Sequence, residues 1–266
     1  MNFAAALLAV HVAVVATAAG AGAGPGGQPT GALEWFRQGV ELARQGDYRA
    51  ALARFERARM LSPNWALPYL EIAVAHMMTD NDTEKISRAL EAAVKLGKEI
   101  PRAHYLLGVH LQQQNQRKRA IAELTKALQL RPSLLDARYR LALLYIEVGA
   151  QQRGIEQLEL VAQQAPSHLG ARRTLALLYE QSGQLEMAER HLVDLCKIYP
   201  SQPVHLEKLA RFYERVGWHA KARATVRRLN RIDPPKRRHM RPLPPSPDTR
   251  HRQSGGTAGS RADAGS

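Results

Sequence analysis

Four prolines recur along the second half of the chain at a constant interval of 34 residues, at Pro132, Pro166, Pro200 and Pro234. Each closes a stretch in which apolar residues stand three or four positions apart, the spacing that places side chains on one face of a helix. A period in this range is typical of a solenoid, in which each repeat buries its apolar face only by stacking on its neighbours. The interval therefore predicts an array of repeated helical units.

Each unit contains a second helical segment. The helix NQRKRAIAELTKALQLRP, which ends at Pro132, is preceded by AHYLLGVHLQQQ and followed by ARYRLALLYIEVG, and both of these also have helical spacing. The repeated unit is therefore a helical hairpin. We predict six units, covering residues 32–65, 66–100, 101–134, 135–168, 169–202 and 203–234.

The hairpins resemble the tetratricopeptide repeat, whose pattern is a large aromatic, a Leu-Gly pair, a Tyr, an Ala-x-x-x-Phe and a closing Pro. The first unit meets this pattern with Trp35, Gly39, Ala51, Phe55 and Pro63. The resemblance implies an all-α fold, a right-handed α-solenoid of about six helix-turn-helix hairpins. The second unit is the weakest match, because it lacks the closing proline and carries an extra residue within MMTDNDTEK.

Small residues recur at fixed places in both helices of the unit, where a longer side chain would keep the two helices apart. Filling one of these positions should cost about 1 to 3 kcal/mol through overpacking. On the first helices they are Gly39, Gly108, Ala142, Ala176 and Ala210, and on the second helices Ala51, Ala120, Ala188 and Ala222.

The resemblance also implies a concave groove, lined by the first helix of each hairpin, that binds a peptide or protein ligand. An alternative is that Phe36, Leu70, Tyr105 and Tyr139 simply pack between neighbouring first helices. The positions that match the family's groove are Phe36, Val40, Leu70, Val74, Met77, Tyr105, Val109, Tyr139, Leu143, Ile146, Arg173, Leu177, Glu180, Glu207, Arg211 and Glu214. The first four units offer apolar contacts and the last two offer mixed charge, which suits a ligand with an apolar and a polar end.

Some members of the family hold a carboxylate at a chaperone's chain end with a clamp of Lys and Asn in the first unit. The matching residues here are Phe36 and Val40, and Arg102 of the third unit cannot restore the clamp alone. We therefore do not expect this chain to bind chaperone tails.

Both ends of the sequence differ in composition from the repeats. Residues 1–18 contain an apolar run that ends in Ala16-Thr17-Ala18, which is typical of a cleaved export signal, although no Lys or Arg precedes the run. We expect an exported, periplasmic or cell-envelope protein; the alternatives are an uncleaved membrane anchor and a leader with no targeting role. Residues 19–31 form a Gly/Pro-rich linker, 32–234 the repeat domain, and 235–266 a basic tail rich in Pro, Ser and Gly for which we expect disorder.

The formal net charge of +14 raises the possibility of an anionic partner. The tail alone contributes +5 and could contact an anionic surface, whereas Arg117 to Arg119 fall at a turn away from the predicted groove. No aromatic residues are interleaved with these basic residues, as single-stranded nucleic-acid binding would require. We therefore do not expect nucleic acid as the main partner. Binding of nucleic acid or another polyanion through the net charge and the tail is kept as the alternative function.

No pattern for catalysis or for cofactor or metal binding is present. The ten histidines do not form pairs at helical ligand spacing with a third ligand, and no Gly-rich phosphate loop or nucleophile elbow precedes a helix. The single cysteine, Cys196, has no intrachain partner, which leaves packing or an intermolecular disulfide. We expect a non-enzymatic interaction scaffold with no cofactor, metal or small-molecule substrate.

Overall fold

The computed structural model describes residues 30–234; the predicted leader, residues 19–29 of the predicted linker, and the predicted tail lie outside them. Within this range the chain forms twelve α-helices and no strand. The helices are α1 (Thr30–Arg44), α2 (Tyr48–Leu61), α3 (Ala66–Met78), α4 (Thr83–Leu96), α5 (Pro101–Gln113), α6 (Arg117–Leu130), α7 (Leu135–Glu147), α8 (Gln151–Gln164), α9 (Leu169–Gln181), α10 (Leu185–Ile198), α11 (Pro203–Arg215) and α12 (His219–Ile232).

Consecutive helices pair as hairpins. Contacts join α1 with α2, α3 with α4, α5 with α6, α7 with α8, and α11 with α12. Each second helix from α2 to α8 also contacts the first helix of the next hairpin, and α5 contacts α7 directly. This stacking is the arrangement that the proline interval predicted, and the fold class, an all-α solenoid of helical hairpins, is confirmed.

Prolines and glycines set the ends of the helices. The recurring prolines stand two residues beyond the ends of their helices, for example Pro132 after Leu130. Inside most hairpins a three-residue turn has its middle residue at positive φ, and glycine occupies that place in four of them, as at Gly149 with φ of 82°. Glycine pays no steric cost there. In the third hairpin Asn115 takes the same conformation with φ of 61°.

The second hairpin departs from the others where the sequence indicated. Its turn runs from Thr79 to Asp82, one residue longer than the others, and the Asp82 carboxylate accepts hydrogen bonds from the first backbone amides of α4. At the place where other second helices carry alanine, α4 carries the buried Ile86. The extra residue therefore lies within the hairpin turn.

The close approach of paired helices depends on the small residues. A Cβ atom built on Gly39 would lie 2.7 Å from ring carbons of Phe55, and the two ring-bearing side chains Phe36 and Phe55 pack with centroids 5.6 Å apart. Ala51 and Ala120 have no exposed surface. Gly154, which the sequence reading did not single out, is equally constrained because its Cβ would lie 2.6 Å from Ile146 Cγ1.

The chain divides into two compact units between Leu195 and Cys196, within α10. The described part of the first unit holds the hairpins from α1 to α8, together with α9 and most of α10. In the second unit α11 pairs with α12, and the buried Phe212 meets the edge of the Trp218 ring at 5.9 Å. Each unit thus has its own packed aromatic or aliphatic interior.

Candidate functional site

The predicted groove positions fall on the first helices and recur at equivalent places in successive hairpins. In the first unit they lie on α1, α3, α5, α7 and α9, while Glu207, Arg211 and Glu214 lie on α11 of the second unit. Because α5 and α7 are in direct contact, their equivalent residues are neighbours. The accessible part of this set in the first unit is called the first-helix surface below, and it comprises Val40, Met77, Tyr105, Tyr139, Leu143, Ile146, Arg173, Leu177 and Glu180.

Four of the predicted groove residues are core residues instead. Leu70 and Val109 are each 1% exposed, Val74 is 3% exposed, and Phe36 is 5% exposed. The Phe36 ring lies 4.7 Å from the ring of Trp65. Of the residues for which packing was the alternative, Phe36 and Leu70 lie in the core, and no ligand could reach any of the four buried residues without opening it.

The remaining apolar members of the set are accessible. Leu177 on α9 is 53% exposed, which is high for a leucine on a packed helix, and the equivalent Leu143 on α7 is half-buried. Met77 and Ile146 are also half-buried. A row of partly accessible apolar side chains on adjacent first helices can provide contact area to an incoming chain.

Tyr105 is held between α5 and α7. Burial raises the pKa of its phenol, and the Arg140 guanidinium, which makes a hydrogen bond with the phenol and attracts its anion, opposes the shift. Asp136 acts in the same direction as burial. The phenol is therefore neutral at physiological pH and can exchange hydrogen bonds with a ligand or with Arg140.

Tyr139 is positioned by the start of the next hairpin. Its ring centroid lies 4.7 Å from that of His168, and a Cβ atom on Gly170 would lie 2.7 Å from the Tyr139 hydroxyl oxygen. Gly170 thus leaves the space that the tyrosine occupies. Sequence reasoning missed the need for glycine at this position.

A recurring hydrogen bond, which sequence reasoning also missed, fixes the starts of four first helices. A side chain in the first turn and a half of the helix bonds to the backbone carbonyl six residues before it, in the turn that precedes the helix. The four cases are Tyr69 to Pro63 at 2.9 Å, His104 to Lys98 at 3.0 Å, Arg138 to Pro132 at 2.9 Å and Arg172 to Pro166 at 2.6 Å. Different residue types serve one position, so no single motif marks it.

Two segments of the chain match the family profile for the tetratricopeptide repeat, residues 32–65 and residues 101–134. They coincide with the first and third predicted units. This chain is a tetratricopeptide-repeat (TPR) protein.

Solved structures of other TPR proteins share the fold. MamA is 24% identical, with 60% of this chain and 92% of MamA covered and a TM-score of 0.55. YrrB, a TPR protein with an unusual peptide-binding site, is 22% identical over 66% of this chain and 91% of its own, with a TM-score of 0.58. PilF from Pseudomonas aeruginosa is 16% identical over 77% and 93% of the two chains, with a TM-score of 0.60. None of the curated proteins matches the TPR chain in sequence.

The third unit of this TPR protein does not present Arg102 to a ligand. Its guanidinium forms a salt bridge with the Glu71 carboxylate, and the two side chains are only 9% and 5% exposed. The pair joins α3 to α5, so Arg102 holds two first helices together. This use of the arginine agrees with the prediction that it does not form a carboxylate clamp.

The basic run at the start of α6 is engaged with neighbouring helices. Arg117 lies 3.2 Å from the Glu147 carboxylate of α7, and Arg119 lies 2.9 Å from that of Glu91 on α4. All of these side chains are largely exposed, so each pair contributes about 0 to 1 kcal/mol. The run is the solvated first turn of α6, and its charges are partly balanced by the TPR array itself.

Two further kinds of reactive group are the potential metal ligands and the single cysteine. Within residues 30–234 no group of three His, Cys, Asp or Glu side chains is placed to hold a metal ion. Cys196 is buried, and burial raises the pKa of its thiol to about 11. None of the twelve described helices has the length and apolar character needed to cross a bilayer.

Proposed function

We propose that the first-helix surface binds an extended or helical segment of another protein. The observation that carries the proposal is the row of accessible apolar and aromatic side chains on α5, α7 and α9, which includes Tyr105, Leu143 and Leu177. TPR folds typically serve protein–protein interaction, and YrrB, of similar fold, has a peptide-binding site. A partner would bury its own apolar face against this row.

The uneven distribution of charged residues along the first-helix surface favours one orientation of the bound segment. At α9 the exposed Arg173 and the half-buried Glu180 flank Leu177, whereas Met77 and Tyr105 on earlier helices carry no charge. A ligand with an apolar portion opposite α3 to α7 and a polar portion opposite α9 would satisfy both parts. Glu207 and Arg211 on α11 add further charge within the second unit.

A double charge substitution tests this surface. Leu143→Glu combined with Leu177→Glu places carboxylates on two accessible positions and should lower partner affinity at least tenfold. Val74 is unsuitable for such a test because a charge there would disrupt the core.

The matched control is Met60→Glu with Leu96→Glu, two apolar residues that are 62% and 38% exposed on second helices. This control should bind as the unchanged protein does. Equal affinity for the Leu143/Leu177 variant, with its helical circular dichroism intact, would show that the partner binds elsewhere.

We also propose that the protein acts in the cell envelope after export. The support is the apolar leader of residues 1–18 with its Ala16-Thr17-Ala18 ending. N-terminal sequencing of the protein from fractionated native cells should find a start near Ala19 in an envelope fraction. An intact Met1 in the cytosolic fraction would refute export and would favour the alternative of a polyanion partner.

A further inference from the structure

One exposed stripe of α12, the last described helix, consists of arginine and alanine, and the exposed His219, Lys221 and Ile232 lie beside it. Its members stand three and four residues apart along the helix: Ala220, Arg223, Ala224, Arg227, Arg228 and Arg231. The opposite face buries Ala222, Thr225 and Leu229. We call the exposed set the α12 arginine face. Its arginines span about 12 Å along the helix axis.

The positive charge of this face is not balanced nearby. The helix contains no Asp or Glu, Asp233 follows it with an interaction of its own, and Glu214 on the paired α11 lies beside His219. Among the described residues, no carboxylate forms a salt bridge with any of the four arginines. Four exposed arginines on earlier helices, Arg44, Arg88, Arg117 and Arg119, each have a carboxylate partner and serve below as a comparison.

We propose that the α12 arginine face docks on a membrane surface that carries anionic lipid headgroups. Guanidinium groups bind phosphate oxygens with two parallel hydrogen bonds, and alanines between them let the helix lie close to a flat surface. Basic clusters of this size on a helix are typical of binding to anionic lipid. The sequence directly after the helix adds Lys236, Arg237, Arg238 and Arg241.

The side-chain composition favours a lipid surface over nucleic acid. Reading of base edges uses Asn or Gln beside arginine, and single-stranded nucleic acid stacks on exposed aromatic rings. The face has none of these residues. The nearest aromatic pair, Tyr213 and Trp218, is already covered by the Lys221 ammonium at 5.6 and 4.3 Å. Ile232, 41% exposed at the end of the helix, offers an apolar contact at the headgroup level instead.

The test measures co-sedimentation of the full chain with vesicles of phosphatidylcholine, with and without phosphatidylglycerol. The chain should bind only the vesicles that contain phosphatidylglycerol. Replacing Arg223, Arg227, Arg228 and Arg231 by Gln retains helix propensity. It should lower the vesicle partition constant about fivefold for each arginine lost, and at least a hundredfold together. Lysine at the same four positions keeps the charge but loses the paired hydrogen bonds, so it should bind more weakly than arginine and more tightly than glutamine.

A charge-matched control distinguishes vesicle binding by the α12 arginine face from binding by the net charge of the chain. Replacing Arg44, Arg88, Arg117 and Arg119 by Gln removes the same charge from residues that are paired and exposed, and should leave vesicle binding within about fivefold of the unchanged chain. An equal loss in both variants would overturn the proposal, because it would show that only net charge matters. Unchanged binding of the α12 variant would overturn it as well.

Two further measurements show which segment of the chain binds the vesicles and whether the bound anion is lipid or nucleic acid. A variant with Gln at Lys236, Arg237, Arg238 and Arg241 should bind more tightly than the α12 variant; if only this tail variant lost binding, the α12 face would be excluded. Duplex DNA and single-stranded RNA should lose less affinity than the phosphatidylglycerol vesicles do when the four α12 arginines are replaced, because only their non-specific charge attraction is weakened. A loss of nucleic-acid binding without a loss of vesicle binding would contradict a lipid partner.

Discussion

Gly108 on α5 and Leu124 on α6 approach so closely that a Cβ atom on Gly108 would lie 2.8 Å from Leu124 Cγ. Leu124 has no exposed surface and closes the interior of the third hairpin. The glycine therefore sets the distance between the two helices, and through it the position of Tyr105 and the other accessible residues of α5. The contact between Gly108 and Leu124 thus affects where the α5 residues of the first-helix surface lie.

The glycine contact predicts a loss of stability when Gly108 is enlarged. Gly108→Ala gains up to about 1 kcal/mol of helix propensity but incurs about 1 to 3 kcal/mol of overpacking, so a net loss of up to about 2 kcal/mol is expected. Urea unfolding measures it. Gly31→Ala is the control, because its Cβ meets Leu61 at an ordinary 3.6 Å, and it should not destabilise the protein.

The buried pair of Glu71 and Arg102 predicts a larger effect. Arg102→Met removes the guanidinium that faces the Glu71 carboxylate in the core and should cost about 3 to 5 kcal/mol. Replacing both residues with apolar ones, Glu71→Leu with Arg102→Met, should recover most of this loss, because no buried charge is then left uncompensated. Thermal unfolding of the two variants compares them. A double variant no more stable than the single one would contradict this account.

Two buried histidines predict how stability depends on pH. Burial lowers the pKa of both His110 and His191. For His191, burial outweighs the attraction of the Glu159 carboxylate, which raises the pKa. Arg172 and Asp194 also act on His191, in opposite directions. Protonation of either therefore favours the unfolded chain, whose histidines keep a pKa near 6.5. Their contribution is fully present above pH 6.5 and is lost as the pH falls through the lowered values.

The measurement is Tm against pH from about 7.5 to 5, a window above the titration of Glu41 and Asp80, whose pKa values are lowered to about 2. The Tm should fall with acidification, and His191→Gln should reduce the slope because glutamine cannot take up the proton. A slope that stays the same in this variant would show that His191 is not the group responsible.

The thiol of Cys196 should be unreactive in the folded protein. Its pKa of about 11 leaves almost no thiolate at neutral pH, and the side chain is buried in the second unit. Alkylation by iodoacetamide, followed by intact mass, should be slow until denaturant is added. Rapid modification under native conditions would instead support the alternative of an intermolecular disulfide at this residue.

Much of the fold could be predicted from the sequence because the residues that end its helices act locally. Proline cannot continue a helix and glycine at positive φ ends one, so Pro132 and Gly149 locate helix ends without knowledge of the packing. The extra residue of the second unit was located by comparing the length of its segment MMTDNDTEK with the other units. The division of the chain between Leu195 and Cys196 was not predicted, because it falls inside α10 and leaves no mark in the helical periodicity.

The candidate surface could be predicted only in part. Periodicity tells which helix face a residue occupies but not how deeply the neighbouring helices cover that face. Tyr105 and Leu177 share a register with Leu70 and Val74, yet only the first two remain accessible. Phe36, another buried member of the set, is in contact with the ring of Trp65 on the turn before the next hairpin. Such contacts join residues of different helices and cannot be read from spacing.

The most direct measurement of the central claim is site-specific photo-crosslinking in native cells. A photoreactive amino acid is placed at Leu143 or Leu177 on the first-helix surface, and at Gln129 or Gln163 on exposed positions of second helices. One partner protein should be crosslinked from both leucine positions and from neither glutamine position. Crosslinks to the same partner from Gln129 or Gln163 alone would contradict binding at the first-helix surface.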